Sequence, residues 1–141
     1  MPRVYQSGVI NAEIDKVWNI VRDFNALPEW HPAISHSELE NGTGVGCIRH
    51  FFLKDGGELR EKLLALSDIN YSCTYCIVES PMPVKNYVAD FALFKITDTD
   101  KTFMHWYAYF DVTEAGMEEE TSETVKMVFN SGIKSLQKML G

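Results

Sequence analysis

The last quarter of the chain carries the pattern that most constrains the fold. Val125, Val128, Phe129, Ile133, Leu136 and Leu140 recur at three- and four-residue steps, which sets them along one face of an α-helix. Glu118, Glu119, Glu120 and Glu123 stand at its start, and Lys134 and Lys138 near its end, the arrangement that complements a helix dipole. A helix over 118–140 spans roughly 35 Å at about 1.5 Å per residue. An apolar stripe of that length needs one equally long apolar partner. Only a sheet can supply it.

The strands are legible upstream. Residues 3–10 read as a first strand. Asn11 is placed to cap a helix over about 12–23, with Glu13 and Asp15 in its first turn and Ile14, Val17, Trp18 and Val21 on one face. Pro28 and Pro32 prevent a long continuation, so a short second helix or turn is expected at 24–30. From 34 to 112 the pattern is strands and turns. "GTGVG" (42–46) leads into a strand at 47–53, and "KDGGE" (54–58) is a hairpin signal because glycine accepts positive φ. Further strands are expected at 59–67, 71–79, 86–97 and 102–112, with the stiff loop "SPMPVK" at 80–85. Seven strands with short connections imply an antiparallel meander.

The whole-chain quantities narrow the function. With 141 residues the chain suits one domain, 1–141, able to bury a core without staples. The net charge of −7 argues against a nucleic-acid partner, which needs a basic face, and against anionic membrane surfaces. No apolar run approaches the roughly 18 residues that span a bilayer, and "MPRVYQSGVI" carries no secretory pattern. A cytoplasmic location is the resulting expectation. Cys47, Cys73 and Cys76 are odd in number, which fits free thiols. "CTYC" lies in a strand-like stretch rather than at a helix start, so its two sulfurs should diverge and pack rather than do redox chemistry.

Several catalytic signatures are missing. There is no G-x-S-x-G elbow. His31, His36, His50 and His105 lack zinc-ligand spacing. "GTGVG" precedes a strand instead of opening a helix, so it is no dinucleotide fingerprint. No cofactor or metal is expected.

Strand, two short helices, six strands and a long terminal helix is the order of the helix-grip fold. The pieces "VWNIVRDFNALPEWHP", "GVGCIRHF", "ELREKLLALSD", "SPMPVKNY", "HWYAYFD" and "GIKSLQKML" together resemble the START-like (SRPBCC) superfamily, in particular its polyketide cyclase/dehydrase and lipid-transport family. They cover nearly the whole chain in order. The resemblance implies an α+β fold in which a curved seven-stranded antiparallel sheet wraps the C-terminal helix and leaves a cavity. It extends distantly to plant abscisic-acid receptors and the major birch-pollen-allergen fold. By position "LKDGGEL" would be the receptors' gate and "SPMPVKNY" their latch, but the receptor motifs are absent, so hormone recognition does not carry over. The resemblance also implies that Trp30 wedges against the cavity mouth. It places His31 where those receptors carry a ligand-contacting lysine.

Strand alternation then predicts an inward set. It comprises Arg49, Phe51 and Leu53; Leu59, Glu61 and Leu63; Tyr71, Cys73, Tyr75 and Ile77; Tyr87, Ala89, Phe91 and Leu93; and Met104, Trp106, Ala108 and Phe110. On the long helix, Met127, Ser131, Gly132 and Ser135 are expected to face the space, Gly132 making room. Arg49 should lie diagonal to Glu61 across the hairpin. The candidate ligand-binding residues are therefore Trp30, His31, Arg49, Phe51, Glu61, Tyr75, Ile77, Tyr87, Ala89, Trp106, Met127 and Ser131. An aromatic, apolar lining with few polar groups suits a small hydrophobic or amphipathic ligand such as a lipid, polyketide or aromatic compound. The alternative is a cyclase or dehydratase acting through Glu61, Arg49 and His31. The outer face carries Val88, Phe94, Tyr107 and Tyr109, apolar for a solvated sheet and a candidate contact between two copies.

Overall fold

The long helix is present over the expected residues. In a computed structural model, which describes all of residues 1–141, α3 runs from Glu118 to Leu140. Its buried positions are Thr121, Val125, Phe129, Gly132, Ile133 and Leu136, the three- and four-residue spacing that a single buried stripe requires.

Its partner is one antiparallel sheet of seven strands in the order β1-β7-β6-β5-β4-β3-β2. The strands are β1 (Arg3–Ile10), β2 (Ile34–Glu40), β3 (Ile48–Leu53), β4 (Glu58–Ser67), β5 (Ser72–Glu79), β6 (Val84–Ile96) and β7 (Lys101–Val112). Two short helices, α1 (Ile14–Val21) and α2 (Leu27–Trp30), lie between β1 and β2. The architecture is α+β, the helix-grip arrangement expected from the sequence.

Local chemistry explains the boundaries. At the tip of the β3–β4 hairpin Gly56 takes φ 101°, and the Leu53 and Gly57 backbones bond across the turn. This left-handed backbone is where glycine is favoured. Helix α1 is shorter than the periodicity predicts. Glu13 occupies the N-cap position with no side-chain cap bond, so Asn11 does not cap it; the chain instead turns through an Ala12 N–H to Ile10 carbonyl bond. Helix α2 is a single turn that opens with Pro28 in its first positions and closes at His31, because proline is accepted only where no helical N–H is needed.

Helix α3 lies closest to β1 and β7. A Cβ on Gly8 of β1 would stand 2.8 Å from Ile133 Cγ2, so the glycine permits that approach. Gln137 Nε2 donates to the Val9 carbonyl at 3.0 Å, and Gln6 Nε2 donates to Asn130 Oδ1 at 3.0 Å. The helix is therefore clamped to one edge of the curved sheet. Between the helix and the strands beyond β7, an aromatic cluster fills the middle. Trp106 stacks on Phe129 with centroids 4.5 Å apart, and Trp30 lies 5.6 Å from Trp106 and 6.4 Å from Phe91.

Candidate functional site

The helix and sheet do not meet everywhere. Beside the aromatic cluster lies a pocket of about 150 Å³. Its floor comes from the inner faces of β3, β4, β5 and β6 through Arg49, Phe51, Leu59, Glu61, Tyr75, Ile77 and Tyr87, and from Trp106 on β7. Its walls come from Leu27, His31 and Ile34 on one side and from Val125 and Phe129 of α3 on the other. Ala33, Leu53, Pro81, Met82, Thr124 and Val128 also line it and keep some exposure, so they form the rim. The loop 80–83 and the end of β3 thus meet at the opening.

Period-2 alternation puts Arg49 and Glu61 on the inner face. They are direct partners across the β3–β4 ladder rather than the diagonal pair expected. Arg49 Nη2 stands 2.7 Å from Glu61 Oε1, and Arg49 Nε donates to the same oxygen at 2.9 Å. Arg49 Nη1 donates to the Phe24 carbonyl at 3.2 Å, and the guanidinium lies 4.0 Å over the Phe24 ring and 4.8 Å from the Tyr75 ring. The arginine is therefore held on every side and ties β3 to the segment between α1 and α2. Burial pushes the Glu61 carboxyl above the usual carboxylate range while the Arg49 charge pulls it back. Glu61 Oε2 accepts no hydrogen bond from the protein.

Two tyrosines complete the polar end. Trp106 Nε1 donates to Tyr75 Oη at 3.0 Å, which leaves the Tyr75 phenolic proton without a protein acceptor. Tyr87 Oη has no protein partner. Burial first, and the Glu61 charge second, push both hydroxyls well above their usual pKa, so both remain donors. Tyr87 faces inward in phase with Ala89, Phe91 and Leu93, as alternation along β6 expects. The alternation breaks only before it, where the β6–β7 register shifts between Lys85 and Val88 and Asn86 takes φ 54°.

His31 lines the pocket and is already engaged. Its Nε2–H donates to the Val128 carbonyl at 2.8 Å, and its Nδ1 accepts from the Ala33 N–H at 3.2 Å. That pairing requires the neutral ring. Burial, with a smaller contribution from Arg49, holds its pKa below the ordinary histidine value, against the Val128 bond.

Of the sequence-expected residues, His31, Arg49, Phe51, Glu61, Tyr75, Ile77, Tyr87 and Trp106 line this one pocket. Trp30 is buried in the aromatic cluster beside it, and Ala89 is fully buried in the sheet, neither being part of the lining. The phase assigned to α3 needs correction. Met127 is 67% exposed, and Ser131 lies outside the pocket. Gly132 does not create empty space, because a Cβ there would stand 2.8 Å from Trp106 Cζ3 and 3.1 Å from both His31 Cδ2 and Trp30 Cζ3. It is the seat for those rings. The helical side of the pocket is formed by Thr124, Val125, Val128 and Phe129, most of which belong to the apolar stripe; that stripe was the signal to follow. Tyr71 also differs from the inward reading: it sits in the turn before β5 at φ 51°, and its hydroxyl donates to Asp15 Oδ1 at 2.9 Å. Leu27, Ala33, Ile34, Pro81 and Met82 had no periodic signal that could reveal them.

A curved antiparallel sheet gripping a C-terminal helix around an apolar pocket is the START-like class of architecture. The sequence matches the family described as polyketide cyclase / dehydrase and lipid transport over residues 1–141, and the chain belongs to that family. Solved structures agree. Protein XoxI from Bacillus cereus is 28% identical, with 99% of this chain and 96% of that chain covered and a TM-score of 0.92. An uncharacterized protein from Bacillus thuringiensis is 29% identical over 99% and 98% of the two chains, with a TM-score of 0.91. A protein from Thermobifida fusca is 26% identical over 100% and 94%, with a TM-score of 0.89.

Proposed function

We propose that this chain binds a small hydrophobic or amphipathic molecule in the pocket between the sheet and α3, as a carrier or sensor rather than as an enzyme. The observation that carries this reading is the pocket itself. A chain that packs Phe129, Trp106, Trp30 and Gly132 to van der Waals contact leaves about 150 Å³ open next to them. Interiors normally close such gaps, because an unfilled gap forfeits dispersion contacts. Apolar walls with a few convergent polar groups are the usual composition of a ligand site, and the family includes lipid transport in its description.

The engagement of His31 weighs against acid/base chemistry by that residue, since both ring nitrogens are committed to backbone groups. One observation favours the cyclase- or dehydratase-like alternative. Glu61 is a buried carboxyl with a raised pKa beside two tyrosine hydroxyls, which is the setting of a general acid or base.

Native mass spectrometry of the purified chain, followed by thermal-shift screening with small aromatic alcohols, fatty acids and sterols, tests the proposal. A ligand held at about 100 times its Kd stabilises the folded state by roughly 2.7 kcal/mol, a shift of several degrees in Tm. Absence of any stabilising compound across such a set would sink the binding reading. Turnover of a ketone substrate that disappears in Glu61→Gln, with folding intact, would favour the enzymatic one.

A further inference from the structure

The pocket has a polar end of defined composition, and its size is limited. An apolar cavity of about 150 Å³ accommodates one benzene ring, and this pocket has the same volume. Its charged lining residues are Arg49 and Glu61, whose charges neutralise each other at 2.7 Å. What remains unmatched is one acceptor, Glu61 Oε2, and two donors, the hydroxyls of Tyr75 and Tyr87. All three residues are more than nine-tenths buried, at 6%, 2% and 5% exposure. A guest that shuts a polar group off from water without pairing it forfeits about 1–3 kcal/mol, so these groups select for a guest that satisfies them.

From this geometry we infer that the pocket takes a neutral molecule of about one ring carrying a single hydroxyl, and that it rejects carboxylates and long acyl chains. The inference rests on the ligand-binding reading above and sharpens it. A guest hydroxyl donates its proton to Glu61 Oε2 and accepts from the Tyr87 hydroxyl, with its ring against Phe51, Phe129 and Ile77. A guest carboxylate would present a second anion to Glu61. Arg49 has no spare face to offer it, since its N–H groups reach Glu61 and the Phe24 carbonyl and its flat surface is covered by Phe24. His31 cannot compensate, because it is held neutral by its two backbone bonds. A molecule with only methyl groups would fit by shape and leave the three polar groups unpaired.

The test uses three probes of one shape, p-cresol, p-xylene and p-toluate, with palmitate as a long-chain control, titrated calorimetrically into the full chain at neutral pH. The expected order places p-cresol about tenfold tighter than p-xylene, the value of one good hydrogen bond, with no saturable binding of p-toluate or palmitate. Tyr87→Phe should lower p-cresol affinity severalfold towards that of p-xylene, the donation to Glu61 Oε2 remaining, and should leave p-xylene affinity unchanged; an unchanged p-cresol affinity in this variant overturns the inference. Its unliganded Tm checks that the variant is folded. Should Tyr87→Phe fail to fold, Glu61→Gln supplies the second reading: loss of the anion leaves Arg49 uncompensated, and p-toluate should then bind. Equal affinity for p-cresol and p-xylene, or binding of p-toluate by the natural chain, overturns the inference. Binding of palmitate alone overturns it while leaving the broader ligand-binding reading standing. Failure of every probe and of the wider screen overturns both.

Discussion

Arg49 and Glu61 show how one residue pair can be structural and still shape a site. Their side chains retain 4% and 7% exposure, so each charge depends on the other. Glu61→Ala strands the arginine and should cost about 3–5 kcal/mol, whereas replacing both residues by well-packed apolar side chains should be neutral or stabilising. Urea unfolding of the single and double variants separates the two. His31 makes a separate prediction. An unfolded histidine titrates near about 6.5, and the folded one lies lower. The folded state therefore binds fewer protons in that window. Its stability is complete above about 6.5 and declines as the pH falls towards the folded pKa. Urea midpoints measured from pH 7 to 5 should fall on acidification, and His31→Gln should flatten most of that slope. His105, also lowered by burial, adds to the fall, and Glu61, whose carboxyl burial raises, opposes it by taking up a proton in the folded state.

At the scale of elements, the close approach of α2, α3 and β7 depends on one missing side chain. Alanine at 132 would improve helix propensity by about 1 kcal/mol. Its Cβ would also overlap Trp106 at 2.8 Å and press on Trp30 and His31. Overpacking of that kind costs about 1–3 kcal/mol. Gly132→Ala should therefore destabilise the protein despite its better propensity, and a changed tryptophan emission would report the displaced rings. Element type and order were readable because strands and helices have different apolar periods, and α3 matches 118–140. The errors were local. Asn11 looked like a cap, yet the helix opens at Ile14 without a side-chain cap bond. The inward set on α3 was drawn through Met127 and Ser131, against its own apolar stripe.

Over the whole molecule, a net stability of about 5–15 kcal/mol has to support both a core and a gap in it. Phe129 sits at that boundary. It is 1% exposed, stacks on Trp106 and lines the pocket. Phe129→Ala should cost about 3–5 kcal/mol and enlarge the pocket. Calorimetry with 2-naphthol should show binding in this variant, in place of the one-ring limit inferred for the natural chain, and denaturant midpoints should fall in parallel. No helix is long and apolar enough to cross a membrane. On the outer face Tyr5, Phe94, Tyr107 and Tyr109 keep 54%, 50%, 36% and 38% exposure.

Periodicity is a property of the chain, so the sequence by itself determined the long helix, the antiparallel strands, their order and the inward faces that carry Arg49, Glu61 and Tyr75. The gap is a different kind of quantity. It arises where α3, clamped to β1 through Gly8 and Gln137 and packed on β7 through Gly132, Phe129 and Trp106, stands away from β3 to β6. It also depends on where α2 sets His31 and on where the loop 80–83 ends the opening. These are distances between elements far apart in the chain. No local pattern encodes them, because they follow from how whole side-chain volumes meet, and only the tertiary structure decided them.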